Sequence, residues 1–334
     1  MYEQDAGRVV NMRVVRVTRF GGPEVLVPGE APDPVAGPGQ VVVDVSVAGV
    51  TFVETQIRRG VDRWHDKPAL PYVPGGTVAG RVSSVGEGVD PSWSGRSVIA
   101  DLGMTGGFAE RAVAVVENLI PVPEGLGLSE ASALRTDGST AFGLVEGAGI
   151  LPGEWVLVEA AAGGVGTLLV QLARAAGARV VGAARGARKL DLVRDLGADA
   201  VVDYSTPDWT KRVREVTDGV GPSLVFDGVG GEIGQAAFEV TADGGRFSIH
   251  GASSGEVTAI DPTQARQRGI RVIGVEQLFG FGPKMRDWAQ QAMSAAVAGQ
   301  IRPVIGQTFP LERAADAHAT IESRGALGKT LLLI

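Results

Sequence analysis

The chain has 334 residues, 44% of them hydrophobic, and carries a net charge of −7 with a pI near 5.2. An acidic balance of this kind argues against a face built to neutralise nucleic-acid phosphates, and the absence of any cysteine excludes disulfides, thiolate nucleophiles and Cys-ligated metal sites. No run approaches the roughly 18 apolar residues of a membrane helix and no basic-then-apolar leader opens the chain, so a cytoplasmic protein with no membrane partner is expected. The length suggests about two domains.

Residues 1–11 follow no clear period and read as an N-terminal extension. From Met12 the texture is short Val-rich strands between Gly/Pro turns, among them Arg13–Thr18, Gln40–Val47, Thr77–Val85 and Ser97–Ala100, with Pro28, Pro32, Pro34 and Pro38 marking an early loop. This pattern predicts an all-β, barrel-like domain over residues 12–130. Ser129–Leu134 and Ala141–Gly147 read as helices that lead out of it.

The most informative stretch runs from Trp155 to Tyr204. Trp155–Val158 is a short apolar run of the kind buried on both faces of a parallel sheet. Gly163-Gly164-Val165-Gly166 follows, then Leu168, Leu169, Leu172, Ala175 and Ala176 at helical spacing, then a second Val-rich run at Ala178–Ala183. Strand, glycine turn, helix, strand is a βαβ unit, and its turn sits where a dinucleotide pyrophosphate lies. Ala162, Gly163, Gly164, Val165 and Gly166 are therefore candidate cofactor-binding residues, their backbone N–H groups opening a helix whose N-terminus attracts phosphate. Glycine is expected here to let the pyrophosphate approach the backbone.

The alternation continues through strands at Ala200–Asp203, Ser223–Asp227 and Gly245–Ile249, with Thr206-Pro207 read as the N-cap and first residue of a helix reaching Thr217. Repeated β-α alternation implies an α/β, doubly wound parallel sheet over residues 131–270. Ile270–Val275, Lys284–Ala298, Val304–Phe309, Leu311–Arg324 and Lys329–Ile334 break that spacing, so residues 271–334 are expected to return to the first domain, which makes the sheet domain an insertion.

An NAD site usually places Asp or Glu about 20 residues beyond the glycines. Here that position reads Ala183, Ala184, Arg185 and Gly186, with no acid before Asp191 and with Arg188 and Lys189 in between. Cations suit a 2′-phosphate that a carboxylate would repel, so NADPH is the expected cofactor.

Taken together, RVTRFGGPEVL, GVTFVETQIRRG, PYVPGGTVAGRVSSVGEGV, AAAGGVGTLLVQLARAAGA, LGADAVVDY and AHATIESRGALGKTLLL resemble the zinc-independent, quinone oxidoreductase-like branch of the medium-chain dehydrogenases/reductases, from Met12 to the end of the chain. The resemblance implies a GroES-like catalytic domain built from both chain ends around a Rossmann NADPH-binding domain, and a homodimer. It implies that Lys189 and Tyr204 grip the 2′-phosphate and that Thr140 lies near the nicotinamide and phosphates. It places Gly228 and Val229, and His250 and Gly251, in the turns that hold the nicotinamide ribose and carboxamide.

Zinc-dependent relatives use a Cys ligand and a Gly-His-Glu segment. This chain reads Gly75-Gly76-Thr77 at the latter, and its three histidines, His65, His250 and His318, have no metal-motif spacing and read as loop or surface residues. No metal is expected, and the chemistry implied is hydride transfer to a quinone or α,β-unsaturated carbonyl. Many relatives carry Asn and Tyr where this chain has Thr51 and Gln56, so those two and Tyr72 are candidates for positioning substrate, and no general acid is assigned. Arg58 and Arg59 read as surface charges. An enoyl-thioester reductase, and an NADPH-binding sensor or structural protein with little catalysis, are the competing readings.

Overall fold

The computed structural model describes residues 11–334, so the expected extension, Asn11 aside, lies outside the described residues. The chain divides into two compact units, one ending at Ser132 and resuming over Ile305–Ile334, the other spanning Ala133–Val304.

The first unit begins with β1 (Asn11–Val17) and β2 (Leu26–Pro32), an antiparallel pair. β3 (Gln40–Val50) follows and is the strand on which this unit is built. Its Val41, Val43, Val45 and Val47 point into the core while Asp44 and Ser46 face out, the period-2 pattern of a half-buried strand. α1 (Phe52–Arg59) leaves the end of β3, and β4 (Thr77–Val85), β5 (Ser97–Asp101), β6 (Arg111–Val115) and β7 (Leu119–Pro121) complete the run before α2 (Leu128–Ala148). β4 pairs along one edge of β3 with two register shifts, bulges that bend the sheet. Gly80 sits at that bend, where an added Cβ would stand 2.0 Å from the Asp44 carbonyl oxygen.

The two expected helices around Gly138 are one, α2. Gly138 does not break it because tertiary packing needs the missing side chain: a Cβ there would lie 2.8 Å from Ala292 Cβ. The second unit then runs β8 (Trp155–Val158), α3 (Gly164–Ala175), β9 (Arg179–Ala184), α4 (Ala187–Asp195), β10 (Ala200–Asp203), α5 (Trp209–Val216), β11 (Leu224–Asp227), α6 (Gly231–Val240), β12 (Arg246–Ile249), α7 (Pro262–Gln267), β13 (Arg271–Ile273) and α8 (Met285–Val297). The helix expected from Thr206-Pro207 starts later, at Trp209, because the Thr206 hydroxyl donates back to the Asp203 carbonyl in a turn. β14 (Ile305–Pro310), α9 (Ala314–Glu322) and β15 (Lys329–Leu333) return the chain to the first unit.

The second unit holds a six-stranded sheet, parallel throughout, in the order β10-β9-β8-β11-β12-β13. This is the doubly wound arrangement expected, and Leu157, Val181, Val225 and Phe247 from neighbouring strands are fully buried in it. The boundary at residue 271 is corrected. β13 adds to this sheet beside β12, and α8 packs Trp288 and Ala292 onto Gly143 and Gly138 of α2, so residues 271–304 belong with the second unit. Only from Ile305 does the chain rejoin the first, where β15 shares one edge of β3 with β6: β15 takes Val47–Val50 and β6 takes Gln40–Asp44.

Arg58 of α1 is fully buried, not a surface charge, and pairs with Glu322 of α9, tying two segments 264 residues apart. Arg59 is exposed as expected. Removing one member of a buried pair leaves an uncompensated charge, a loss on the order of 3–5 kcal/mol. Glu322→Ala is expected to lower unfolding stability by about that amount in urea titrations, and Arg59→Ala by less than about 0.5 kcal/mol.

Candidate functional site

The glycine turn of the second unit is built from backbone. Gly163 is the N-cap of α3 in an extended conformation and, having no side chain, contributes no cap of its own. Ala160 adopts a left-handed φ of 46°, and its carbonyl accepts from Gly163 N–H at 2.8 Å. The glycines are fixed largely by the protein itself. A Cβ on Gly166 would stand 2.3 Å from the Ala160 oxygen, and one on Gly164 would stand 2.0 Å from the Asp137 carboxylate of α2. Gly163 is the roomier position, with the Ala160 oxygen at 3.2 Å. Thr140 is half-buried one helical turn beyond Asp137, on the same face of α2. Ala162 is buried, and Val165 is half-buried in the first turn of α3.

β8 and β11 are neighbours, and strand order reverses between them, so the C-terminal ends of these two strands form the switch point where ligands bind in open α/β sheets. Three titratable groups meet there, Asp227 and Glu159 fully buried and His250 half-buried. Asp227 ends β11 and accepts from Val229 N–H at 2.9 Å, Gly230 N–H at 2.8 Å and the Thr258 hydroxyl. Glu159 follows β8 with no exposed surface, and burial, reinforced by Asp227, holds it well above the usual carboxylate range. His250 follows β12, and burial pulls it down to about 4 against the pull of Asp227, so its ring is neutral. The turns after β11 and β12 are bonded to each other: His250 N–H donates to the Asp227 carbonyl at 2.8 Å and Ser254 N–H to Val229 at 2.8 Å. Gly228 and Gly251 permit this contact, since a Cβ on Gly251 would lie 2.7 Å from the Gly228 oxygen.

At the far side of the switch point, β9 and β10 end side by side. Tyr204 N–H donates to the Ala184 carbonyl at 3.2 Å, which sets Tyr204 beside the strand end that leads to Arg185, and Lys189 lies in the first turn of the next helix. Lys189 and Tyr204 are half-buried and Arg185 is exposed. The structure adds a residue that the count from Gly163 passed over. Asp203, remote in sequence from the end of β9, accepts from Gly186 N–H at 2.9 Å and from Ser205 N–H at 2.9 Å. Partial burial opposes its ionisation, but the bonds from Ser205 and Gly186 and the nearby Arg185 outweigh this and lower its pKa.

In the first unit, Thr51 is the N-cap of α1, and Glu54 three residues later closes a capping box with it. Glu54 is the residue the sequence reading missed, although the Thr-x-x-Glu spacing was there to be read. Its Oε2 accepts from Thr51 N–H at 2.6 Å and from the Thr51 hydroxyl at 3.1 Å, and its Oε1 accepts from Gly76 N–H at 3.0 Å. Burial raises the Glu54 pKa, against the donors from Thr51 and Gly76 and the charge of buried Lys329. Tyr72 is buried in the same region, its phenol pushed up to about 12 by burial and by Glu54 against the effect of Arg58. Gln56, half-buried, donates to the Thr55 hydroxyl at 3.1 Å. His318 is corrected from a surface position: it is fully buried on α9, edge-on to Phe108, and held down to about 3 by burial and by Arg58.

Glu159 gives a test of the switch point. Its folded pKa is raised, so the stability it contributes is complete below the ordinary carboxylate value of about 4.3 and is lost as pH rises through the folded value. Glu159→Gln is expected to gain stability over the parent progressively from about pH 5 upward and to show no gain near pH 4, read as urea midpoints across pH.

Residues 37–124 match the family described as alcohol dehydrogenase GroES-like domain, and residues 164–295 that described as zinc-binding dehydrogenase. The chain is 33% identical to the quinone oxidoreductase of Rattus norvegicus over 326 residues, 97% of this chain and 98% of the relative. It is 31% identical to that of Pseudomonas aeruginosa over 323 residues, covering 96% and 98%. Among solved structures, a mycobacterial protein complexed with NADPH superposes with a TM-score of 0.86 at 32% identity, covering 97% of this chain and 100% of that one. Escherichia coli quinone oxidoreductase complexed with NADPH gives 0.87 at 28% identity, covering 96% and 100%.

Proposed function

The chain belongs to the quinone oxidoreductase-like branch of the medium-chain dehydrogenase/reductase family, and from that premise we propose that it is an NADPH-dependent reductase of quinones or α,β-unsaturated carbonyls that uses no metal. The observation that carries the cofactor choice is the cluster of Arg185, Lys189 and Tyr204, two cations and a phenol at the end of the strand next to the glycine turn. The Asp203 carboxylate stands in the same turn, bonded by Gly186 and Ser205 and offset by the nearby Arg185. The N–H groups from Gly164 to Gly166 suit a pyrophosphate, and the bonded turns at Gly228–Val229 and His250–Gly251 suit the nicotinamide ribose and carboxamide, with Thr140 close to the phosphates.

NADPH, when bound, supplies the hydride. What the protein supplies is position and charge stabilisation. Neutral His250 and the burial that holds Glu159 well above the usual carboxylate range limit the charge at the floor of the switch point. Thr51, Gln56 and Tyr72 are the groups of the first unit that offer hydrogen bonds to an acceptor carbonyl, and Tyr72, pushed to about 12, stays a donor across the physiological range.

The metal-free reading rests on donor chemistry. The chain has no cysteine, and where zinc-dependent relatives carry Gly-His it has Gly75-Gly76. A side chain fits at neither: a Cβ on Gly76 would stand 2.2 Å from the Gly103 oxygen, and one on Gly75 2.8 Å from the Gly107 backbone. Among the described residues no group of three or more His, Cys, Asp or Glu could hold an ion, and no helix is long and apolar enough to cross a membrane. We place a homodimer contact at the outer edge of β13, an end strand of the sheet whose Val272 is exposed.

Turnover of NADPH and NADH with a panel of quinones, enones and enoyl thioesters tests the reading, a preference for NADH or full activity only with the thioesters overturning it. Removing a charge-assisted bond to phosphate costs about 1.5–3 kcal/mol, so Lys189→Ala is expected to raise the NADPH Kd about 10–100-fold while leaving NADH affinity within about twofold.

A further inference from the structure

The reading above leaves the proton unassigned. Reduction of a carbonyl acceptor leaves negative charge on oxygen, and neither Thr51 nor Gln56 is an acid at neutral pH. We propose that Glu54 is the proton source, acting through the Thr51 hydroxyl, so that the capping box of α1 is also a two-membered proton relay. The inference rests on the proposed placement of Thr51 against the acceptor.

The geometry meets the requirements of a relay. Thr51 Oγ and Glu54 Oε2 are 3.1 Å apart, within hydrogen-bond reach. Glu54 is only 4% exposed, while Thr51 is half-buried and is the more exposed member of the pair. Both ends are held in place. Thr51 is fixed as the last residue before α1 by its own N–H bond to Glu54, and Glu54 is anchored at its other oxygen by Gly76 N–H. A Cβ at Gly76 would collide with the Gly103 oxygen, so no side chain intervenes there.

The charge balance also favours this role. In the transfer, the acceptor oxygen forms a bond to the Thr51 hydroxyl proton. The Thr51 O–H bond breaks, and its electron pair takes the proton from Glu54 Oε2. Glu54 is left as a carboxylate, stabilised by the Thr51 and Gly76 N–H groups and by Lys329 of β15. Reprotonation follows the same route in reverse from solvent when product leaves. The charged and titratable groups around Glu54 are Lys329 from β15, Tyr72 from the segment before β4, and Arg58 one turn along α1, facing Tyr72. Burial raises the Glu54 pKa, which brings a group with three donors back toward the range useful for general acid work. A second consequence concerns Thr51 itself. With Glu54 ionised, the Thr51 proton points at the carboxylate and is not offered outward, so Thr51 donates to an acceptor only while Glu54 carries its proton.

The test compares Glu54→Gln, Thr51→Val and Thr51→Ser with the parent, using NADPH with one quinone and one enone. The parent kcat is expected to fall on the alkaline side of a single ionisation and to show a solvent deuterium isotope effect. Both Glu54→Gln and Thr51→Val lose that limb and drop kcat about 100-fold or more, within the range of general acid contributions, with NADPH Kd by fluorescence unchanged within about twofold. Thr51→Ser retains the limb. An infrared protonated-carboxyl band that titrates with the same pKa as kcat is expected in the parent and absent from Glu54→Gln, a readout that needs no turnover. If Glu54→Gln does not fold, Thr51→Val carries the comparison. Parent-like limb and isotope effect in either variant overturn the relay alone. A parent that binds NADPH and reduces no acceptor overturns the proposed function and the relay with it.

Discussion

Pairing of β8 with β11 is the constraint on which the second unit depends. All six strands of the sheet are parallel, and order runs outward in both directions from this pair. The loops that follow the two strands therefore diverge, and a crevice opens at their C-terminal ends. Whatever stands at those ends is forced inward by the sheet, which explains why Glu159 and Asp227 are buried together and why His250, one strand further, is neutral. The two buried carboxyls are accommodated differently: Asp227 takes the backbone donors of the turn, and burial beside it holds Glu159 well above the usual carboxylate range.

The first unit solves a different problem with the same elements. Its sheet is organised by one long strand, β3, and α1 emerges from the end of that strand with Thr51 and Glu54 at its first turn. The carboxyl that caps the helix is buried because β15 pairs alongside the last residues of β3 and brings Lys329 with it. A helix cap is usually worth about 1 kcal/mol at the surface. Here the same contact places an acid, a hydroxyl and a lysine in a site of low water content, where small changes in charge have larger consequences.

Glycine usage in the turn has a reason inside the protein as well as the one expected for a ligand. The expectation was that the glycines of the turn keep a Cβ away from a pyrophosphate. Gly164 and Gly166 are also held by the close approach of Asp137 and of the Ala160 carbonyl, and Gly163 is the most open of the three. Gly75 and Gly76 are held by close backbone contacts in the same way, which bars a ligand side chain from both.

Local signals determined a good deal of this protein. The Val-rich run, glycine turn and helical stripe between Trp155 and Ala184 could be read directly, because strand and helix periods and the turn between them are local properties. The capping box at Thr51 was equally local. Other features were decided only by tertiary structure. Arg58 and His318 became core residues because α1 and α9, from opposite ends of the chain, pack together. Residues 271–304 joined the second unit because β12 had a free edge and α2 had glycines for α8 to pack on. Asp203 came to stand beside Arg185 because parallel neighbours end at the same level. Burial and charge are set by neighbours that are distant along the chain, and no count of residues from a motif contains them.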